Sequence, residues 1–226
     1  MSLKRIAAAF VGAVVAVWSA GSPAQAEDFR LLTLGERYVK WGAAEFATGA
    51  VVTYGFADRR SDYADAINCG AIGPIDPLLQ ASHLTRTQFA ENVREALGMW
   101  HSAANVTFQY TEDATKAQIL IGAQGTPIGI AFANVWHDGT GHHRNIASIT
   151  KATVCLNPLV AWKAASDDRP ETYYLRHVIA HEVGHTIGLD HPGRTGQLMG
   201  YRYSEDTTKL GAGDVRGAVT LYGPAK

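Results

Sequence analysis

The chain is 226 residues long, 46% of them hydrophobic, with 20 basic against 21 acidic residues and a formal net charge of −1. That length suits one domain with a substantial core, or one divided by a cleft. A near-neutral chain without a basic cluster argues against nucleic acid or an anionic membrane as partner.

Residues 1–26 read as a secretory signal peptide. Lys4 and Arg5 precede an uncharged apolar run from Ile6 to Val17, and Ala24 and Ala26 are the small residues that a signal peptidase reads. The run is shorter than the roughly 20 residues of a membrane span. Cleavage after Ala26 leaves 200 residues carrying 18 basic and 21 acidic side chains, a net charge of −3, in a secreted or periplasmic protein with no membrane partner. Two cysteines remain, Cys69 and Cys155, and in an exported chain they are expected to form a disulfide.

Residues 27–48 are weakly patterned and read as an N-terminal arm, too short for a separately folded pro-domain. Val51 to Ala57 is rich in β-branched and aromatic residues and predicts a strand. A long connection punctuated by Gly and Pro follows. Thr85 with Gln88 forms a capping-box signature, and Phe89, Val93, Leu97 and Trp100 recur at helical spacing, so a helix is predicted to about Ala103. Four strands are then expected, over Val106 to Thr111, Ala117 to Ala123, Ile128 to Trp136 and Ile146 to Asn157. A second long helix is predicted from Glu171 to Leu189, with Leu175, Ile179, Val183 and Ile187 as its buried stripe, and a last helix from Asp214 to Tyr222. Strands grouped ahead of the second helix indicate an α+β fold.

The stretch "HEVGHTIGLDH", His181 to His191, carries the chemistry. His181 and His185 are four residues apart on one helix, so their rings project side by side and suit one zinc ion, with Glu182 beside them. A catalytic zinc needs a third protein ligand. Gly188 stands where the chain leaves the helix, since glycine accepts the left-handed backbone of a helix end, and His191 follows three residues later. Gly184 is expected to leave room for metal, water or substrate and to allow close backbone packing, two roles that are compatible. A zinc ion held by His181, His185 and His191 acidifies water, and Glu182 as general base would take the proton during attack on a carbonyl. Amide hydrolysis is the expected reaction. Two other readings of the same residues stay open: an exported, zinc-stabilised domain that captures peptides without cutting, and a hydrolase of a non-peptide amide.

With "HExxHxxGxxH" in place, the sequence resembles the metzincin zinc peptidases, and "GQLMGYRY" (Gly196 to Tyr203) stands where the methionine turn of that clan belongs. The resemblance runs from Lys40 to Gly223 and is to the matrixins and serralysins. It implies a twisted, mostly parallel sheet with an antiparallel edge strand, and a catalytic domain over 49–226 divided by a cleft, its upper part ending near 191 and its lower part spanning 192–226. It makes Met199 the residue beneath the metal. It makes the strand from Ile128 to Val135 the edge that pairs with extended substrate, with core sheet as the other reading. Pro192 after the third histidine and Tyr201 two residues after Met199 resemble the serralysin pattern, in which such a tyrosine ligates zinc or stabilises the transition state. The implied cofactor is one catalytic zinc, and the implied partner is a protein or peptide substrate.

The departures are equally specific. The glycine-rich calcium repeats of serralysins are absent from this sequence, and no calcium site is assigned. Ile130 stands where matrixins place a histidine for a structural zinc, and Cys155 falls near another such position, so a disulfide is expected to replace that metal as a staple. "NCGAIGPID" has a superficial likeness to the matrixin cysteine switch, but the disulfide is the preferred role for Cys69. His177 is expected beside the site rather than on the metal. "WHDGTGHHR" (Trp136 to Arg144) is expected as a solvated loop at the cleft rim.

Overall fold

A computed structural model describes residues 28–139, 145–165, 167, 169, 171–193 and 196–226. The expected signal peptide and the histidines of "GHHR" lie outside them.

The N-terminal segment forms three short strands, β1 (Arg30–Leu31), β2 (Thr33–Leu34) and β3 (Arg37–Lys40). Next come β4 (Ala50–Phe56), β5 (Ser61–Asp62) and β6 (Ala71–Gly73), then helices α1 (Asp76–Ser82) and α2 (Arg86–Ala103). Thr85 caps α2 as its sequence predicts: the Gln88 amide donates to Thr85 Oγ1 at 3.1 Å, and the Thr85 amide donates to Gln88 Oε1 at 2.9 Å. Phe89, Val93, Leu97 and Trp100 all face inward from it. The chain continues through β7 (Val106–Tyr110), β8 (Ile119–Gln124), β9 (Ala131–His137), β10 (Ile146–Leu156), β11 (Ala161–Lys163) and β12 (Thr172–Tyr174). Helix α3 (Leu175–Thr186), strand β13 (Leu189–Asp190) and helix α4 (Ala212–Tyr222) complete it.

The central strands lie in the order β7-β4-β8-β10-β9. The first four run parallel and β9 antiparallel, so the α+β architecture with a reversed edge strand is present. Helices α2 and α3 cover one face, and Ile119, Ile121, Val154 and Leu156 meet them there in the main core. Residues that alternate with these, Leu120 and Cys155, point to the other face, where a small cluster with Ala57, Cys69 and Ile72 lies under the long connection.

The helix predicted over Glu171 to Leu189 is shorter at both ends. Thr172–Tyr174 instead pairs in parallel with β11, as two adjacent tyrosines after a threonine favour. At the other end the chain turns at Gly188, whose φ is +99°, and Leu189–Asp190 pairs with β1. The last carbonyls of α3 do not go unpaired: Trp41 Nε1 donates to Thr186 O and the Tyr222 hydroxyl to Ile187 O, each at 2.8 Å.

Candidate active site

The exit from α3 determines where the third histidine goes. A Cβ on Gly188 would overlap the carbonyl oxygen of Val39, so the backbone itself packs against β3 at this point. From there the chain reverses, and the His191 ring comes to lie opposite the two helical histidines. His191 Nε2 is 3.1 Å from His181 Nε2 and 3.2 Å from His185 Nε2. Two zinc–nitrogen bonds of tetrahedral geometry place their nitrogens about 3.3 Å apart.

The outer ring nitrogens explain what the inner ones can do. His181 Nδ1 lies 2.8 Å from the carbonyl of Leu198, and His185 Nδ1 lies 2.8 Å from that of Leu189. A carbonyl only accepts, so each Nδ1 carries the ring proton and each Nε2 presents a bare lone pair. Burial holds the His181 ring down to about 4 and the His185 ring to about 3, so both stay neutral. The two bare Nε2 lone pairs converge on His191 Nε2, and the separations match those of nitrogens that share one zinc ion. These three residues form a group of metal-type donors with ligand atoms within 4.8 Å of one another.

Glu182 is 7% exposed and faces the edge strand, where its carboxylate accepts the Ala133 amide. Burial pushes its carboxyl up to about 8, with that amide pulling the other way.

Met199 is buried against Gly184 of α3. Of the two roles expected for Gly184, close packing is the one realised: a Cβ there would run into the Met199 sulfur and come within 2.9 Å of Trp100 Cζ2, so the space is already filled. The turn bearing Met199 is held from α4, where the buried Asp214 carboxylate accepts the amides of Leu198 at 2.6 Å, Met199 at 3.2 Å and Gly211 at 2.7 Å. Gln197 Oε1 answers it by accepting the Gly213 amide at 2.8 Å. Sequence reasoning missed Asp214 and Gln197; the signal available was an aspartate in the first turn of a predicted helix.

Tyr201 is 81% exposed, with its ring edge-on to His191 at 5.2 Å between centroids. Tyr203 is anchored: its hydroxyl donates to Glu205 at 2.7 Å and accepts the Tyr174 amide at 2.9 Å, while the nearly buried Lys163 ammonium pairs with Glu205 at 2.9 Å. His177 lies beside the site as expected, its ring 4.9 Å from that of Tyr203 and its Nδ1 without a hydrogen-bond partner. The three histidines, Glu182, His177, Tyr201 and Tyr203 line a cleft of about 890 Å³ that runs along β9. Cys69 and Cys155 are joined in a disulfide on the far side of the sheet.

A mostly parallel sheet with a reversed edge strand, above a helix with two histidines and a turn with a third, defines a metzincin-like catalytic domain. Residues 78–223 match the peptidase M10 family, the matrixins, and the chain belongs to that family. It is 29% identical over 149 residues to metalloendoproteinase 1-MMP of Arabidopsis thaliana, covering 63% of this chain and 40% of the relative. It is 28% identical over 186 residues to serralysin G of Dickeya chrysanthemi, covering 76% and 34%, and 33% identical over 130 residues to serralysin of Proteus mirabilis, covering 52% and 26%. The matches thus span two-fifths or less of these relatives.

Proposed function

We propose that the protein is an exported zinc endopeptidase that hydrolyses peptide bonds in proteins or peptides. The observation that carries this reading is the convergence of three histidine Nε2 atoms beside Glu182, in a cleft bordered by a free sheet edge. His181, His185 and His191 would hold the metal, with their outer nitrogens fixed by Leu198 and Leu189. Zinc, when bound, supplies Lewis acidity that acidifies water and polarises a carbonyl.

The chain's own groups do the rest. Glu182 takes a proton from the attacking water and returns it to the leaving amine, and the Ala133 amide aims its carboxylate. Met199 supports the histidines from below. Tyr201 stands at the mouth of the cleft, where its hydroxyl can donate to developing negative charge. The Cys69–Cys155 disulfide and the sequence of residues 1–26 support export through a signal peptide.

The decisive comparison is wild type against Glu182→Ala, with zinc counted per chain and a diverse peptide library read by mass spectrometry. One zinc in both, with cleavage only by the wild type, is the expected result. Equal cleavage by both would remove Glu182 as base. One zinc and no cleavage in either would favour the peptide-capturing or non-peptide reading. Tyr201→Phe is expected to lower turnover at least tenfold with unchanged zinc content; unchanged turnover would leave Tyr201 as a wall of the cleft.

A further inference from the structure

The free edge of β9 is not open along its whole length. Ile130 O accepts the Asn157 amide, so Ile130, Phe132 and Asn134 direct their backbone groups to β10. Ala131, Ala133 and Val135 alternate with them and direct theirs outward, where an added strand would pair. At Ala133 both outward groups are already taken. Its amide meets Glu182, and its carbonyl accepts Asn68 Nδ2 at 2.8 Å.

Asn68 is held there by several independent contacts. Its own amide donates to Asn134 Oδ1 at 3.0 Å, and Asn134 Nδ2 donates back to the neighbouring Cys69 O at 3.0 Å. Cys69 is tied to β10 by the disulfide. Upstream, Asp65 accepts Trp136 Nε1 at 3.0 Å, Tyr63 packs on the Trp136 ring, and Lys151 lies over Tyr63. Asp65 to Asn68 therefore wall the cleft beside Val135 and Trp136.

We propose that Asn68 is a specificity-determining residue: it caps the substrate-pairing edge at Ala133 and so restricts the residues that precede the scissile bond. This inference rests on the peptidase reading of the site. A strand added antiparallel to β9, the more stable arrangement, runs from the Val135 end to the Ala131 end. Residues before the scissile bond lie beside Ala133 and Val135, and there the Ala133 carbonyl is occupied. Residues after it lie beside Ala131, where no Asn68 contact intervenes. Substrate recognition is consequently weighted to the segment following the cut, and the enzyme favours bonds with few residues ahead of them.

The test uses hydroxamates, which anchor the register on the metal, carrying one, two or three alanines on either side. Their dissociation constants are measured by calorimetry on the zinc-loaded full chain and on Asn68→Ala, which keeps the disulfide and the backbone contact to Asn134. For the wild type, affinity should rise with each paired residue on the C-terminal side and change less than about twofold beyond the first on the N-terminal side. Asn68→Ala should gain about fivefold on the N-terminal side alone, the worth of one neutral hydrogen bond. Equal gains on both sides in the wild type, or no change in Asn68→Ala, overturns the proposal. Failure of every hydroxamate to bind overturns the zinc reading and this one with it. Cleavage by wild type against Glu182→Ala checks the peptidase reading separately.

Discussion

At Gly188 one missing methyl group decides whether three histidines can meet. Its φ of +99° lies in the left-handed region, and the Val39 carbonyl occupies the place of a Cβ. Backbone cannot yield as a flexible side chain can, so Gly188→Ala carries both strain and a clash. We expect a loss of about 3 kcal/mol or more in thermal unfolding and a weaker zinc affinity, because His191 shifts with the turn. The titrating residues make a second prediction, for metal-free protein. Burial lowers His177 and His181 from 6.5 to about 4, and His185 to about 3. The unfolded chain then binds more protons, so this stability is present above about pH 6.5 and is lost as the pH falls through about 4. Glu182 has the opposite sign: raised by burial from 4.5 to about 8, its contribution is present below 4.5 and is lost as the pH rises through 8. Three histidines outweigh one glutamate between pH 4.5 and 6.5, so the melting temperature should rise there and then decline toward pH 8. Glu182→Gln should remove the decline; a decline that persists would assign it to another group.

At the scale of elements, the site depends on a turn and a helix that hold each other. Asp214 on α4 accepts the Leu198 and Met199 amides, and the Leu198 carbonyl, which shares a peptide group with the Met199 amide, accepts His181 Nδ1, so the carboxylate is linked to the histidine ring through one peptide unit. Asp214→Asn keeps the shape but loses one acceptor, leaving a buried amide unpaired at a cost of about 2 kcal/mol. Disturbing such a support should weaken zinc binding about tenfold or more, measurable by competition with a chelator; unchanged affinity would make the contact purely structural. Helix α2 was legible because its cap and its apolar period lie within 18 contiguous residues. The spacing of the histidines and Gly188 was legible for the same reason. The ends of α3 were not, because Thr172–Tyr174 is drawn into a strand by β11 and Leu189–Asp190 by β1, partners far away in sequence. Asn68 on Ala133, 65 residues apart, leaves no local pattern at all. Nor does a lone aspartate such as Asp214 announce that it will accept three amides.

At the scale of the whole molecule, the two faces of the sheet are unequally protected. One face is covered by α2 and α3 over a continuous core; among the described residues the other carries a small cluster under the long connection before α1, with Ala114 and Ala117 packed beside it. The buried cluster on that second face is Ala57, Cys69, Ile72, Leu120 and Cys155, too little apolar surface to hold a loop by burial alone. Its disulfide closes a loop with a sequence separation of 86 residues, which in the chain-entropy account contributes about 4 to 5 kcal/mol. Cys69→Ser with Cys155→Ser should therefore lower the melting temperature by roughly 10 °C or more, in a chain where each kcal/mol shifts it by about 2–4 °C. The three histidines belong to the other face, fixed by α3, β13 and the turn at Leu198, so zinc content should not change. Peptide selection should change, because the segment from Tyr63 to Asn68 loses its tie to β10 while the rest of the cleft keeps its walls. If the double variant lost zinc together with stability, the two faces would be one cooperative unit, and the disulfide would be holding the metal site as well as the rim.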